Sequence, residues 1–345
     1  TLNTASADCS FVGGGYNNKI SGCVSDSQFI GGGKNNSVSG NYGPSVIVGG
    51  ESNTISGQYQ DHGFIGGGQN NEICEGAPHS VIVGGRNNTI EGDCGFIGGG
   101  CNNTNSSYYA GVIVGGRSNT LSAYACDSVI VGGGSNTNSG KCSFIGAGYN
   151  NTNSGYYNNF IGAGNNNTIS GYMSDNAIVS GFSNTISVCY GFIGGGVRNT
   201  ISGYYGGCST IVSGECNTIS GDYKDAKFIG GGCKNHTAGN KSVVVGGTLN
   251  SGSGDCSGIL GGKNNEVTHA NSFIIGSDLT STAVCTTYVN NLDVEGEYRG
   301  YVKDSFVGGF YHSSNSSGTY YYIPSNYIAE VTSQQYYNQF VAPYD

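Results

Sequence analysis

Thirteen cysteines and nine Asn-x-Ser/Thr sequons are the side chains of this 345-residue chain whose types and spacing could do covalent chemistry. So many cysteines in an acidic, glycine-rich chain point to an oxidising compartment and to disulfides. Counted from the residue after each apolar pair, Cys216 and Cys233 both lie three positions downstream in neighbouring repeats, and Cys189 and Cys208 both lie five positions upstream. Residues stacked at about 4.8 Å fall inside the Cα separation of about 4.4 to 6.8 Å that a disulfide requires. Bridges Cys189–Cys208 and Cys216–Cys233 are therefore expected. Cys126 with Cys142, Cys74 with Cys94 and Cys9 with Cys23 also lie on adjacent repeats in looser alignment, Cys256 with Cys285 is weaker, and Cys101 is left free or bridging two chains. Cysteines as small buried apolar residues are the second reading.

The sequons at Asn35, Asn87, Asn102, Asn105, Asn150, Asn166, Asn235, Asn240 and Asn315 are candidates for N-glycosylation in a host that modifies exported proteins, although an Asn- and Ser-rich repeat also generates them by chance. No Cys-x-x-Cys or clustered Cys/His spacing suggests a metal site. Gly31-Gly32-Gly33-Lys34-Asn35 lacks the Gly-Lys-Ser/Thr ending of a phosphate loop, and the repeats lack the Gly-Gly-x-Gly-x-Asp pattern of calcium-binding rolls. His62, His79, His236, His269 and His312 are scattered, with no Ser or carboxylate at recognisable spacing. No catalytic residue, cofactor or metal is expected.

The elements that carry these residues are set by a repeat. Seventeen times a short apolar pair is followed by a small-residue cluster, from Phe11-Val12-Gly13 to Ile274-Ile275-Gly276, with successive copies 14 to 19 residues apart. That period is too short for a helix-containing repeat and suits one coil of a narrow β-solenoid. The consensus runs apolar-apolar-Gly-Gly-(Gly)-x-Asn-Asn/Thr-x-apolar-Ser-Gly, as in Phe29 to Gly40. Phe-Ile-Gly copies often alternate with Val-Ile-Val-Gly copies such as Val46 to Val48.

Neighbouring residues on a strand face opposite ways, so one of each apolar pair points inward and the other outward. An outward apolar ridge then runs along a shaft of roughly 80 Å, and burial against identical chains is expected. A recurring Asn (Asn18, Asn36, Asn53, Asn71, Asn88, Asn119, Asn167, Asn184, Asn199, Asn217, Asn265) reads as a structural amide ladder. The expected fold is all-β: a solenoid of about 17 coils over residues 1–276, then a small Tyr-rich β module over 277–345 that caps the shaft or assembles it.

Glycine is 64 of 345 residues without a strict three-residue period, which excludes collagen, and the regular Val, Ile and Phe exclude a disordered linker. A net charge of -9 leaves no basic stripe for nucleic acid or an anionic membrane surface. No apolar run spans a bilayer, and the start at Thr1 without a signal pattern reads as a processed, exported product.

The apolar-pair, Gly, Asn/Ser pattern resembles the left-handed β-roll head of YadA-like trimeric adhesins, and Thr286 to Val294 looks like the linker that follows such rolls in viral tail-fibre-like proteins. The resemblance spans residues 1 to about 296 and implies apolar positions meeting around a threefold axis.

The expected function is a structural subunit of an extracellular fibre or surface appendage on a cell or virion. It would be a homotrimer or polymer, adhesive toward a receptor or glycan, and not an enzyme. Alternatives are a virion or tail fibre or an adhesin head. A polysaccharide-degrading tailspike ranks lower, for want of clustered carboxylates. An ice-binding solenoid does too, because Asn-Thr-Ile-Ser copies supply Thr only intermittently and uneven coils spoil a flat face.

Overall fold

A computed structural model describes residues 2–22, 27–40, 43–57, 62–171, 175–203, 207–221 and 226–290. Among these residues the chain is all-β, wound as a solenoid of about 17 coils with two short strands in most coils. One strand enters a 17-stranded parallel sheet running from Thr4–Ala5 to Glu266–Val267, called here the threonine sheet. The other enters a parallel sheet of 18 strands, from Phe11–Val12 to Thr287–Val289, called the phenylalanine sheet. Its first strand pairs only with Phe29–Ile30 and its last only with Phe273–Ile275, so the ladder is open-ended.

The core lies between the sheets. From the phenylalanine sheet, Ile30, Ile65 and Ile97 point inward without exposure, and from the threonine sheet Val38, Ile55 and Ile90 meet them. Each coil encloses few side chains, so stability is the sum of many similar layers. The β-branched Ile fits this pleated, fully buried surface and keeps one rotamer.

Register corrects the phase read from the sequence. Phe29 pairs with Val46 and Ile30 with Ile47, so in a Val-Ile-Val copy the first two residues form the strand and Val48 takes the place of Gly31. The same shift applies at Thr210, which stands beside Phe192 on one side and Phe228 on the other. Coil lengths then run from 15 residues (Val81 to Phe96) to 18 (Phe11 to Phe29), with 14 for the last (Phe273 to Thr287).

At one corner two ladders interlock. Gly33 holds φ +92°, and a Cβ there would lie 2.1 Å from the Gly50 carbonyl oxygen and 2.7 Å from the Asn36 amide nitrogen. Only glycine allows this approach, and the space it leaves is filled by Asn36 three residues on. Asn36 donates its side-chain amide to Gly32 O (3.0 Å) and Gly50 O (2.9 Å), while its backbone N–H donates to Asn18 Oδ1 (3.0 Å). The arrangement repeats at Asn103, Asn136, Asn151, Asn235 and Asn250, all buried, as well as at the asparagines the consensus picked out. A side-chain ladder of this kind restrains the twist of a long parallel sheet.

The roll continues past residue 276. Thr287–Val289 pairs with Phe273–Ile275, Thr280 bridges to Glu266, and the compact unit runs to Asn290. Thr287–Val289, within the segment from Thr286 read as a linker, thus forms the last strand, and residues 291–345 lie outside the described residues.

Candidate functional site

The outward positions of the phenylalanine sheet form an apolar stripe with two complementary kinds of coil. Where the strand carries Phe, the residue two further on is Gly, and the ring lies across it: a Cβ on Gly31 would sit 3.2 Å from Phe29 Cε1, and one on Gly162 3.1 Å from Phe160 Cε1. Where the strand carries Val, a second Val follows, as in Val81 and Val83 or Val112 and Val114. Phe plus Gly and Val plus Val thus each supply apolar bulk to the stripe as the coils alternate. Phe11 and Phe29 stack at 5.8 Å and Phe144 and Phe160 at 5.5 Å. Val83 is 50% exposed, Val114 49% and Phe160 40%. The polar Thr210 and the bare Gly258 interrupt the first row, but Val212 and Leu260 carry the second past them.

The opposite face carries hydroxyls. Thr89, Thr104, Thr120 and their successors to Thr218 stand in direct register over nine consecutive coils. The ladder is thus unbroken where the sequence suggested an intermittent one. Thr104, Thr137 and Thr152 escape the Asn-Thr-Ile-Ser pattern because a buried Asn replaces the Ile beside them. Coil-length differences do not disturb the register of this sheet.

The remaining corner holds most of the cysteines. Cys9, Cys94, Cys142, Cys256 and Cys285 share one left-handed position, φ 51 to 56°, two residues before the phenylalanine-sheet strand. The twelve described cysteines are unbridged. Both pairs expected to be in register are offset by one residue: Cys233 stands beside Glu215, not Cys216, and by the Phe192–Thr210 register Cys208 stands beside Tyr190, not Cys189. The offset has the same origin as the Val-Ile-Val phase error.

Cys94 likewise falls beside His79 rather than Cys74, since Val81 pairs with Phe96. Asn271 separates Cys256 from Cys285 by a whole coil. Cys142 donates its backbone N–H to Cys126 O at 2.9 Å, which places these two on adjoining coils. Cys23, the partner suggested for Cys9, lies outside the described residues. Cys101 stands between Arg86 and Arg117, with Arg86 Nη2 donating to its Sγ at 3.5 Å.

The sequons separate by burial. Asn87, Asn102 and Asn150 are exposed, Asn35, Asn166 and Asn240 half-buried. Asn105 and Asn235 are buried inside the coil with their amides donating to Gly111 O and to Gly231 O and Gly247 O, positions that leave a glycan no room in the folded chain. Asn315 lies outside the described residues.

His62 and His79 stack at 5.0 Å, and His269 Nδ1 meets Ser281 Oγ at 3.1 Å. His236 Nε2 meets Ser220 Oγ at 2.8 Å on the threonine face, and burial holds its pKa below the usual 6.5. A Ser–His contact of this length is a nucleophile–base geometry, but among the described residues no carboxylate orients the other ring nitrogen. His312 lies outside the described residues. Among the described residues no three His, Cys, Asp or Glu side chains converge on a point that could hold a metal ion, and no helix is long and apolar enough to cross a membrane.

Neither family models nor curated proteins give a match to this chain. The fold therefore supplies the class, a two-sheet parallel β-solenoid repeat protein.

Proposed function

We propose that the chain is a structural subunit of an extracellular fibre, filament or surface appendage that associates with identical copies through the Phe/Val stripe. The observation that carries this reading is the two-row apolar stripe, whose rows hold no charged residue from Phe11 to Ile275. A stripe about 80 Å long and about 10 Å wide offers roughly 800 Å² per chain, the share each partner contributes to a standard stable interface. Left in water, such an apolar surface exceeds what a soluble monomer ordinarily exposes. A homotrimer buries it along its length, and an end-to-end polymer buries it only where its shafts also pack side by side. The resemblance to trimeric adhesin heads favours the first.

An adhesin head or virion fibre is the second reading. It is favoured by a concavity of about 470 Å³ on the loop corner, lined by Gly76, Pro78, Asp93, Tyr108 and Tyr109. Exposed tyrosines beside a carboxylate suit a receptor or glycan.

Electron imaging of the non-reduced protein with mass per length tests the proposal. Filaments or rods of several chains in cross-section support it, and single thin rods overturn it.

A further inference from the structure

We infer that the threonine face is an ice-binding plane. The proposal goes beyond the fibre role and concerns the face that self-association leaves open.

Nine threonines from Thr89 to Thr218 project from consecutive coils of one parallel sheet, each half-exposed. None of their hydroxyls has a hydrogen-bond partner among the described residues. Serines follow two residues on, from Ser106 to Ser202, and form a second row on the same side of the sheet. From Thr104 to Thr185 the two rows and the flanking left-handed position, such as Asn102, Ser118 and Asn150, contain no charged residue.

β-Branched threonines on identical backbones adopt the same rotamer, so methyls and hydroxyls form straight rows. Threonine hydroxyls recur about every 4.8 Å along the solenoid, and the serine row lies about 6.7 Å from them; the serine hydroxyls are less even, since Ser122 Oγ and Ser139 Oγ meet at 2.9 Å and Ser106 Oγ donates to Glu91 Oε2 at 2.6 Å. Water oxygens bonded at about 2.75 Å in tetrahedral geometry recur about every 4.5 Å along one lattice direction and about every 7.3 Å across it. The mismatch along the rows is about 0.3 Å per coil, so four successive coils stay within about 1 Å of the lattice. Water molecules hydrogen-bonded to the hydroxyls are thus placed near lattice positions before they join a crystal. A charge within the array would hold its own hydration shell and break that order, and six successive coils have none.

The asparagine ladder beneath supplies the rigidity this needs, since each amide is fixed to the coils on both sides.

The test is partition of the full-length protein into slowly grown ice from a seeded solution, with an inert globular protein of similar size as reference. Wild type is expected to concentrate in the ice. The T137K/T152K/T168K variant, with its fold checked by circular dichroism, is expected to lose that enrichment by about tenfold. V83K/V114K/V131K, on the other face, is expected to retain it whatever it does to oligomeric state, which separates failure here from failure of the fibre reading. If the triple variant does not fold, Thr152→Lys alone is compared. Exclusion of wild type from ice to the same extent as the reference would overturn the proposal. So would undiminished enrichment of a folded lysine variant, or binding to powdered crystalline chitin without enrichment in ice.

Discussion

Val46, and not Ile47, stands beside Phe29. That one-residue relationship places Val48 beside Gly31 and turns an uneven series of apolar pairs into two rows in register. The same shift at Thr210 moves Cys216 and Cys208 out of line with their expected partners.

The asparagine ladder is the strongest polar determinant of the fold. Asn151 Oδ1 accepts the backbone N–H of Asn167, and its amide donates to Ala147 O and Gly164 O. Asn151→Ala leaves the buried Asn167 N–H and the half-buried Ala147 O without these partners, while Gly164 O keeps the Tyr149 N–H, at about 1 to 3 kcal/mol for each orphaned group before water enters. A loss of about 2 kcal/mol or more in urea unfolding is expected. A loss below about 1 kcal/mol would show that the ladder is decorative.

Gly116 tests the companion ladder. Its φ is +94°, and a Cβ would meet Gly133 O at 2.3 Å and the Asn119 amide at 2.5 Å. Gly116→Ala is expected to cost more than about 2 kcal/mol, since strain and overpacking combine. Gly115→Ala, whose Cβ meets nothing within 4 Å, is the control and should change little.

Much of this was legible in the sequence, and the failures share a cause. The Phe-Ile-Gly-Gly punctuation announces a short-coil solenoid because only a chain that turns at glycine and buries one residue per strand repeats in that way. Phase was ambiguous wherever three apolar residues ran together, as in Val46-Ile47-Val48, because either adjacent pair satisfies the pattern. Asn103, Asn136 and Asn151 were missed because the inward position two residues later holds Asn105, Asn138 or Asn153 instead of an aliphatic residue. Those polar cores satisfy themselves locally, as when Asn153 Nδ2 donates to Asn138 Oδ1 at 2.9 Å. Thr287–Val289 escaped notice because no glycine cluster follows it.

His236 makes stability depend on pH. Burial lowers its folded-state pKa below 6.5, so the unfolded chain takes up the proton more readily. Its contribution is intact above about pH 6.5 and is lost as pH falls below that value. His236→Thr, which continues the threonine row, is expected to flatten the acid limb of a melting-temperature profile between pH 7 and 5. An unchanged profile would assign that limb to other groups.

Cys74 is expected to be a slow thiol. Burial, with the charges of Glu72 and Glu91 added, pushes its pKa from 9.0 to about 11. At pH 8 its thiolate fraction is about 100-fold below that of an ordinary thiol, and alkylation should slow accordingly. Mass-spectrometric labelling should find Cys74 modified late, with Glu72→Gln and Glu91→Gln accelerating it. Labelling of Cys74 as fast as the exposed Cys142 would contradict the assignment.

Self-association through the apolar stripe is the central claim, and the molar mass of the full-length protein by light scattering, beside that of V83K/V114K/V131K, tests it most directly. These three valines are 50%, 49% and 41% exposed, so lysine there leaves the coil interior untouched. Wild type is expected as a trimer or larger assembly and the folded variant as a monomer of 35.3 kDa. A monomeric wild type, or a folded variant that assembles as wild type does, would contradict the claim.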